Sequence, residues 1–253
     1  MFLPRITPED IESTERLAAI QAAPDTYYWT SNWSPEFYVG LAKLGFMNIT
    51  TEAPVWTGTD SNQLRLMEVL APEMQSAYAV LDFENLHLSR STQRWIRSET
   101  CDRLGLRLQI PVSVDTVVSG IARSYGEINW VTANYIELLH KIESEGPWGD
   151  FELMPVGLTD NEGNVVAGEL GYRLGRIYTS LTGFFDRKDP KFSNSGKLQL
   201  FLLGKWLAAH GYAFWNLGHP YMQYKLDLGA RIVQRADFLR RWNSASRLSL
   251  PEG

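Results

Sequence analysis

Hydrophobic positions along the chain switch between two periods, and the switches divide it into helical and extended stretches. Thr7-Pro8-Glu9-Asp10 has the character of a helix start: a capping hydroxyl, a proline suited to the first turn, and acids at the positive end of the dipole. Ile11, Leu17 and Ile20 carry that expected helix to Ala22. A second helix is expected from Ser34-Pro35-Glu36, with Phe37, Leu41 and Leu44 on one stripe and Gly45 closing it. From Met47 to Gln75 the pattern weakens; Gly58-Thr59-Asp60-Ser61-Asn62 reads as a turn in an exposed loop, and Leu64 to Leu70 as a short strand.

Tyr78 to Asp82 and Leu86 to Ser89 read as short strands, and Leu106 to Ile110 as another. Ser113-Val114-Asp115 opens a helix bearing Val117, Val118 and Ile121, and a further helix follows Trp130 with Tyr135, Leu138, Leu139 and Ile142 at core spacing. Phe151 to Leu158, Val165 to Tyr172 and Ile177 to Phe185 are expected to form three successive antiparallel strands, turning at Asp160-Asn161-Glu162-Gly163-Asn164 and at Leu174-Gly175. Lys188 to Ser195 is polar and reads as a loop; Leu198 to His210 is an apolar helix ended by Gly211. A short strand (Tyr212 to Asn216), a helix (Tyr221 to Leu228) and a strand (Ala230 to Phe238) complete the chain. This order predicts an α+β fold, with residues 1–75 as a small N-terminal domain and 76–253 as the larger one.

Composition narrows the classes. With 44% hydrophobic and 21% charged residues, the 253-residue chain has the balance of a globular protein with a substantial core. The net charge of −5 gives no global attraction for nucleic acid, so any such contact needs a local patch. Arg90, Arg94 and Arg97 are the densest basic cluster, and on a helix they share one side. A single cysteine, Cys101, excludes an internal disulfide and a cysteine-based metal site within one chain. The four histidines lack ligand spacing, so no metal centre is expected. The opening residues lack the order of a secretion signal and no apolar run approaches a membrane span, so no membrane association and a cytoplasmic location are expected. Asn194-Ser195-Gly196-Lys197 lacks the leading glycine and following hydroxyl of a phosphate loop, and Arg173-Leu174-Gly175-Arg176 lacks the glycine series of a pyrophosphate loop.

An ordered series of short motifs carries more information. Ser34-Pro35 through Gly45-Phe46, Leu86-His87-Leu88-Ser89-Arg90-Ser91, Trp130-Val131-Thr132, Val166-Ala167-Gly168, Gly171-Tyr172, Asn194-Ser195-Gly196-Lys197 and Leu228-Gly229-Ala230 together resemble the bacterial leucyl/phenylalanyl-tRNA–protein transferase family, from about Ser34 to Trp242. The resemblance implies a small N-terminal α/β domain packed on a C-terminal domain like the GNAT acyltransferases, with a mainly antiparallel sheet. It implies amide formation between an amino acid carried by tRNA and an acceptor amine on a peptide, protein or small molecule, without a cofactor. Such chemistry needs an acceptor for the amine proton, donors for the tetrahedral oxyanion and a pocket for the aminoacyl group. By this resemblance Trp130 frames the pocket together with Thr179, Leu181, Phe184 and Ser195, while Arg90, Arg94, Arg97 and Lys197 face tRNA.

The catalytic stretch departs from the family pattern. Where the family has Gly-Glu-Ser-Met-Phe, this chain has Ser180-Leu181-Thr182-Gly183-Phe184, so Leu181 stands in place of the glutamate. Where the family has Ile-Asp-Cys-Gln, it has Trp215-Asn216-Leu217-Gly218-His219. Asn216 and His219 are the expected substitutes, His219 because its ordinary pKa suits taking an ammonium proton near neutrality. Glu169 is a third: it interrupts the apolar run Val165 to Leu170, and in a hairpin turning near Gly175 it lies close to residues 179–181. A one-residue slip would turn it to the other face. Two further classes stay open: a GNAT-like module without chemistry that binds a peptide or protein N-terminus, and an N-acyltransferase using acyl-CoA.

Overall fold

The computed structural model describes residues 3–57, 63–126 and 129–251. It has two compact units, Met1–Ser76 with Trp130–Glu145, and Ala77–Asn129 with Gly146–Gly253. Contacts therefore group residues 130–145 with the N-terminal residues, whereas the sequence division ran unbroken at 75/76.

The first unit opens with α1 (Pro8–Glu12) and α2 (Thr14–Ala22) in place of the single helix expected. Ser13 explains the break: its extended backbone ends one helix, and its Oγ accepts from Arg16 N to cap the next. α3 (Pro35–Lys43) is capped in the same way by Ser34. The stretch from Met47, expected to be mostly loop, is instead an antiparallel hairpin, β1 (Met47–Thr57) and β2 (Gln63–Glu73), paired from Met47↔Glu73 to Thr57↔Gln63. Only its base is buried, so the usual alternation of core and solvent positions is lost along its length: Val69, Leu70 and Ala71 are buried while Leu66 and Met67 are exposed. The turn expected at 58–62 lies outside the described residues. α7 (Ala133–Glu145) buries Tyr135, Leu138, Leu139 and Ile142, as its spacing predicts. A buried polar knot fastens it: Tyr135 Oη donates to Asn48 O, Tyr38 and Tyr135 hydroxyls lie 2.8 Å apart, and Asn48 Nδ2 donates to Tyr38 O.

The second unit is built on one sheet of β3 (Ala77–Leu81), β4 (Arg107–Gln109), β5 (Phe151–Leu153), β6 (Val156–Thr159), β7 (Val165–Leu174), β8 (Ile177–Phe185), β9 (Phe214–Asn216) and β10 (Arg231–Gln234). The strand order is β10-β3-β9-β8-β7-β6-β4, with β5 pairing the end of β7. All pairs are antiparallel except β8–β9, which joins only Ile177↔Phe214, Tyr178↔Trp215 and Thr179↔Asn216. The α+β class is the one expected from the order of elements, and the mainly antiparallel sheet is the one the family resemblance implies.

Four local expectations need correction. The long strand at 151–158 is two, separated at Met154-Pro155, since proline cannot donate to a ladder. Leu86–Ser89 is not a strand; it follows a 3-10 turn (Phe83–Asn85) and leads into α4 (Arg90–Ile96) and then α5 (Glu99–Leu104). The polar loop at 188–195 contains a 3-10 turn (Pro190–Phe192) that buries Phe192, and Ser195 already begins α8 (Ser195–Ala209). Residues 230–238 are only half strand, because α10 (Arg235–Ala245) begins at once and buries Phe238 and Trp242.

The two faces of the sheet take different helices. α6 (Val114–Tyr125) packs over Phe184, whose ring occupies the space a side chain at Gly120 would need. On the opposite face α8 lays Leu203 and Leu207 against Tyr178, Trp215 and Val156. Truncating either leucine to alanine would cost ~2–5 kcal/mol.

Candidate active site

Strand alternation decides which residues meet. In the β7–β8 hairpin Glu169 is opposite Gly183 and Gly171 opposite Ser180, with an irregularity at Leu170/Gly171 that leaves Leu181 as an extra residue. Glu169, Tyr178 and Ser180 therefore share the face covered by α8. Trp215 joins them because it is the parallel partner of Tyr178.

These residues form a continuous chain. Trp215 Nε1 donates to Ser180 Oγ at 2.8 Å, and Ser180 Oγ donates to Glu169 Oε1 at 2.8 Å. Glu169 is buried at 2% exposure, and burial pushes its carboxyl up to about 7 from an ordinary 4.5. The hydrogen bond from Ser180, the nearby polar side chains of Tyr178 and Gln199, and the charge of Lys225 partly offset that rise. Burial and the neighbouring Glu169 in turn raise the Tyr178 hydroxyl well above its usual range. Two glycines are required here. A side chain at Gly171 would collide with the Tyr178 hydroxyl, and one at Gly183 would press on Glu169 Cβ at 3.1 Å.

The floor of the site opens because β8 and β9 part company. After Asn216 the chain follows β3: Leu217 N donates to Ala79 O, Ala79 N to Gly218 O, and Asn216 Oδ1 accepts from Gly218 N. Meanwhile β8 runs on to Phe185, so its edge from Ser180 onward has no strand beside it among the described residues. The segment after β9 is held by α9 (Gln223–Asp227), where buried Lys225 Nζ donates to Leu217 O and, at 2.9 Å, to His219 O. Tyr125 reaches the free stretch of β8, where its hydroxyl donates to Gly183 O and accepts from Arg187 Nη2. Burial and then the charge of Glu169 raise the Tyr224 hydroxyl, although the residue is 43% exposed. Tyr224 thus feels the charge of Glu169 while part of the residue reaches the surface.

The sequence-derived residues fall into three groups. Glu169 lies with Ser180 beside the opening. Asn216 and Thr179 are register partners on the opposite face of the sheet, fully buried, and Phe184 is buried on that face against α6. Ser195 is fully buried with its hydroxyl toward Val166 O, Leu181 is half-buried, and His219 is half-buried with its ring 6.1 Å from that of Tyr221. Trp130 belongs to the first unit, where it packs edge-on against Tyr135 and its carbonyl accepts from Thr50 Oγ1. Arg90 and Arg94 are exposed on α4, and Arg97 is exposed at its C-terminus. Ser180, Trp215, Gln199 and Lys225 were not singled out from sequence. A lysine flanked by Tyr224 and Leu226 was the available signal for Lys225.

Among the described residues no cluster of three or more His, Cys, Asp and Glu side chains has the geometry to hold a metal, and no helix is long and apolar enough to cross a membrane.

An α+β unit with one parallel seam that splays beside a buried acid, serine and tryptophan is the class of protein that emerges. Residues 80–243 match the family model of leucyl/phenylalanyl-tRNA protein transferase, and this chain belongs to that family. Two relatives named leucyl/phenylalanyl-tRNA–protein transferase are similar to it. That of Hahella chejuensis (strain KCTC 2396) is 26% identical over 162 residues, 63% of this chain and 62% of the relative. That of Maridesulfovibrio salexigens is 27% identical over 167 residues, 63% of this chain and 61% of the relative. The chain thus spans about three fifths of the length of these curated relatives. Among solved structures, the C-terminal domain of a putative lysylphosphatidylglycerol synthetase from Agrobacterium fabrum aligns with a TM-score of 0.45 at 12% identity, covering 90% of this chain and 72% of that one. FemX aligns with a TM-score of 0.44 at 12% identity, covering 78% and 66%.

Proposed function

We propose that this protein is an aminoacyl-tRNA-dependent aminoacyltransferase that joins a tRNA-borne amino acid to an acceptor amine, using Glu169 in place of the family's acid on β8. The observation that carries this reading is the chain Trp215 Nε1, Ser180 Oγ, Glu169 Oε1, ending in a carboxyl whose proton affinity lies near neutrality. The acceptor nitrogen approaches Ser180 from the open edge of β8. As it attacks the ester carbonyl, its proton passes to Ser180 Oγ while the serine proton passes to Glu169. The C–N bond forms, the ester C–O bond breaks, and the ribose oxygen leaves with a proton returned along the same path. Trp215 fixes the serine rotamer, which makes it a positioning residue. A base titrating near 7 is matched to this step at physiological pH.

Arg90, Arg94, Arg97 and Lys197 supply the local attraction for RNA that the net charge of −5 does not. None of the four has a carboxylate partner among the described residues, whereas Arg103, Lys141, Arg173 and Lys191 are all paired to acids. Unneutralised arginines on one helix are a ready phosphate surface. The test is transfer of a radiolabelled amino acid from mixed aminoacylated tRNA to peptide and small-molecule amines. The Arg90→Ala/Arg94→Ala/Arg97→Ala variant should bind tRNA about tenfold more weakly or worse at moderate salt, and with a shallower salt dependence by up to three phosphate contacts. Transfer that proceeds unchanged in that variant would remove α4 from the RNA surface, and no transfer with any tRNA pool would remove the reaction.

A further inference from the structure

The second unit also carries a small surface groove between the Leu88–Thr92 segment, the first turns of α8, and α9. Its floor is apolar, from Leu88, Leu200 and Leu228, and the ring of Tyr224 forms one wall. Its polar groups are few and of opposite sign. Lys197 is exposed and forms no ion pair among the described residues, and Asp227 on α9 lines the same groove. Asp227 Oδ1 accepts from Gln223 Nε2 at 2.9 Å; Oδ2 has no partner among the described residues. His87 lines the same groove, with Nδ1 held 2.8 Å from Asn85 O, so that Nε2 is the ring's acceptor.

Close backbone contacts set the width of this groove. Gly229 has φ +113° and lies so near Asn85 O that a side chain there would overlap it, and His87 N donates to Leu228 O at 3.0 Å. The 85–88 loop is thereby pressed onto the end of α9.

The charge arrangement selects the occupant. Arg90 lies within the Leu88–Thr92 segment and Arg94 one turn further along α4, so phosphates are attracted to this side of the unit. Asp227 repels a phosphate from the interior and offers an acceptor instead. An apolar floor, an aromatic wall and one carboxylate acceptor fit a neutral ring that carries an amino group. We propose that the groove holds an unstacked, amino-bearing nucleobase from the single-stranded 3′ end of the RNA donor, stacked on Tyr224 and donating its exocyclic amino group to Asp227 Oδ2. Cytosine presents that amino group and uracil a carbonyl in its place, so the groove is assigned to a cytosine of the overhang. The inference rests on the aminoacyl-tRNA reading and deepens it, since it assigns a base-reading position to a site otherwise described only by its reaction and phosphate contacts.

The test uses uncharged RNA hairpins with a 3′ overhang of ACCA or AUUA, and reads binding to the full chain by fluorescence anisotropy. The wild type should favour ACCA by about tenfold, the scale of one well-made contact to a base edge. Asp227→Ala should bring the two overhangs to equal affinity while leaving AUUA binding unchanged. Asp227→Asn, which retains the contact with Gln223, guards against a local loss of α9 and should reduce the preference severalfold. Tyr224→Phe should bind like the wild type, and Tyr224→Leu should weaken ACCA binding about tenfold through lost stacking. Equal binding of both overhangs by the wild type, or a preference that survives Asp227→Ala, overturns the groove proposal alone provided intact aminoacyl-tRNA still binds. If neither the hairpins nor aminoacyl-tRNA binds, the donor reading falls and the groove proposal falls with it.

Discussion

Replacing Glu169 with Gln should leave a folded protein whose transfer rate is lower by a factor of about 10²–10⁴, the usual contribution of a positioned base. The substitution keeps the shape of the side chain and an oxygen for Ser180 Oγ to donate to, so the loss isolates the proton-accepting function. Wild-type kcat/KM should fall tenfold per pH unit below about 7, because only the ionised carboxylate accepts a proton. The variant's residual rate should lack that limb. Ser180→Ala removes the relay between amine and carboxylate, so its rate should fall by a comparable factor, and because the lost hydrogen bond had lowered the carboxyl's proton affinity, the residual limb should lie at higher pH. An unchanged limb in Glu169→Gln would assign the base elsewhere, with His219 the first place to look.

The same group makes an opposite prediction for stability. Its folded pKa is raised, from 4.5 to about 7, so the folded state binds the proton more tightly than the unfolded chain. Its burial is therefore best tolerated below the unfolded value and becomes costly as pH rises through the window from 4.5 to 7. Across that window Glu169→Gln should gain up to about 3 kcal/mol relative to the wild type, since each tenfold in proton affinity is worth about 1.4 kcal/mol. Denaturant unfolding at pH 5 and pH 8 measures it. Activity lost and stability gained from one substitution is the signature of a residue kept for chemistry.

Gly229→Ala should have a large and purely structural effect, a destabilisation of about 3 kcal/mol or more. The φ of +113° is one that side chains rarely adopt, and the added carbon would overlap the Asn85 carbonyl, which is backbone and has no rotamer to yield. Relief requires the 85–88 loop to lift from α9, opening the groove lined by His87 and Tyr224. Differential scanning calorimetry should show the second unit melting roughly 6–12 °C lower, given about 2–4 °C per kcal/mol for a domain of this size. RNA overhang selectivity should be lost together with it. Gly126, with φ +65° and open space where a side chain would begin, is the control: alanine there meets backbone strain alone and should cost about 1 kcal/mol.

Sequence reasoning reached the elements whose periodicity is strong and local. The stripe of Tyr135, Leu138, Leu139 and Ile142 is buried as its spacing requires, and the three antiparallel strands from Val156 to Phe185 pair in order. It failed where burial changes along an element. β1 and β2 are buried only at their base, so alternation is masked and a hairpin of eleven-residue strands looks like loop. It failed also where one serine both ends a helix and begins another, at Ser13. At the site, Glu169 was conspicuous as an acid in an apolar strand. Its partners were not, because Ser180 and Trp215 meet through a parallel seam between strands far apart in sequence, and Lys225 arrives from a third element. Spacing along the chain carries no trace of such a meeting.

The ends of the sheet in the second unit bear on how the protein behaves at high concentration. Its outermost strands, β10 and β4, are four and three residues long, and each carries an exposed arginine, Arg231 and Arg107. Arg231, with Arg241, clamps Asp82, whose carboxyl is held below its ordinary range by the two guanidinium groups despite partial burial. A short, charged, pinned border offers an incoming strand almost no template, so self-association by edge pairing is disfavoured. Ile232 on β10, 53% exposed, is the large apolar side chain that this border still presents to solvent. Lysine at that position should lengthen the shelf life of concentrated stocks without touching either catalysis or RNA binding.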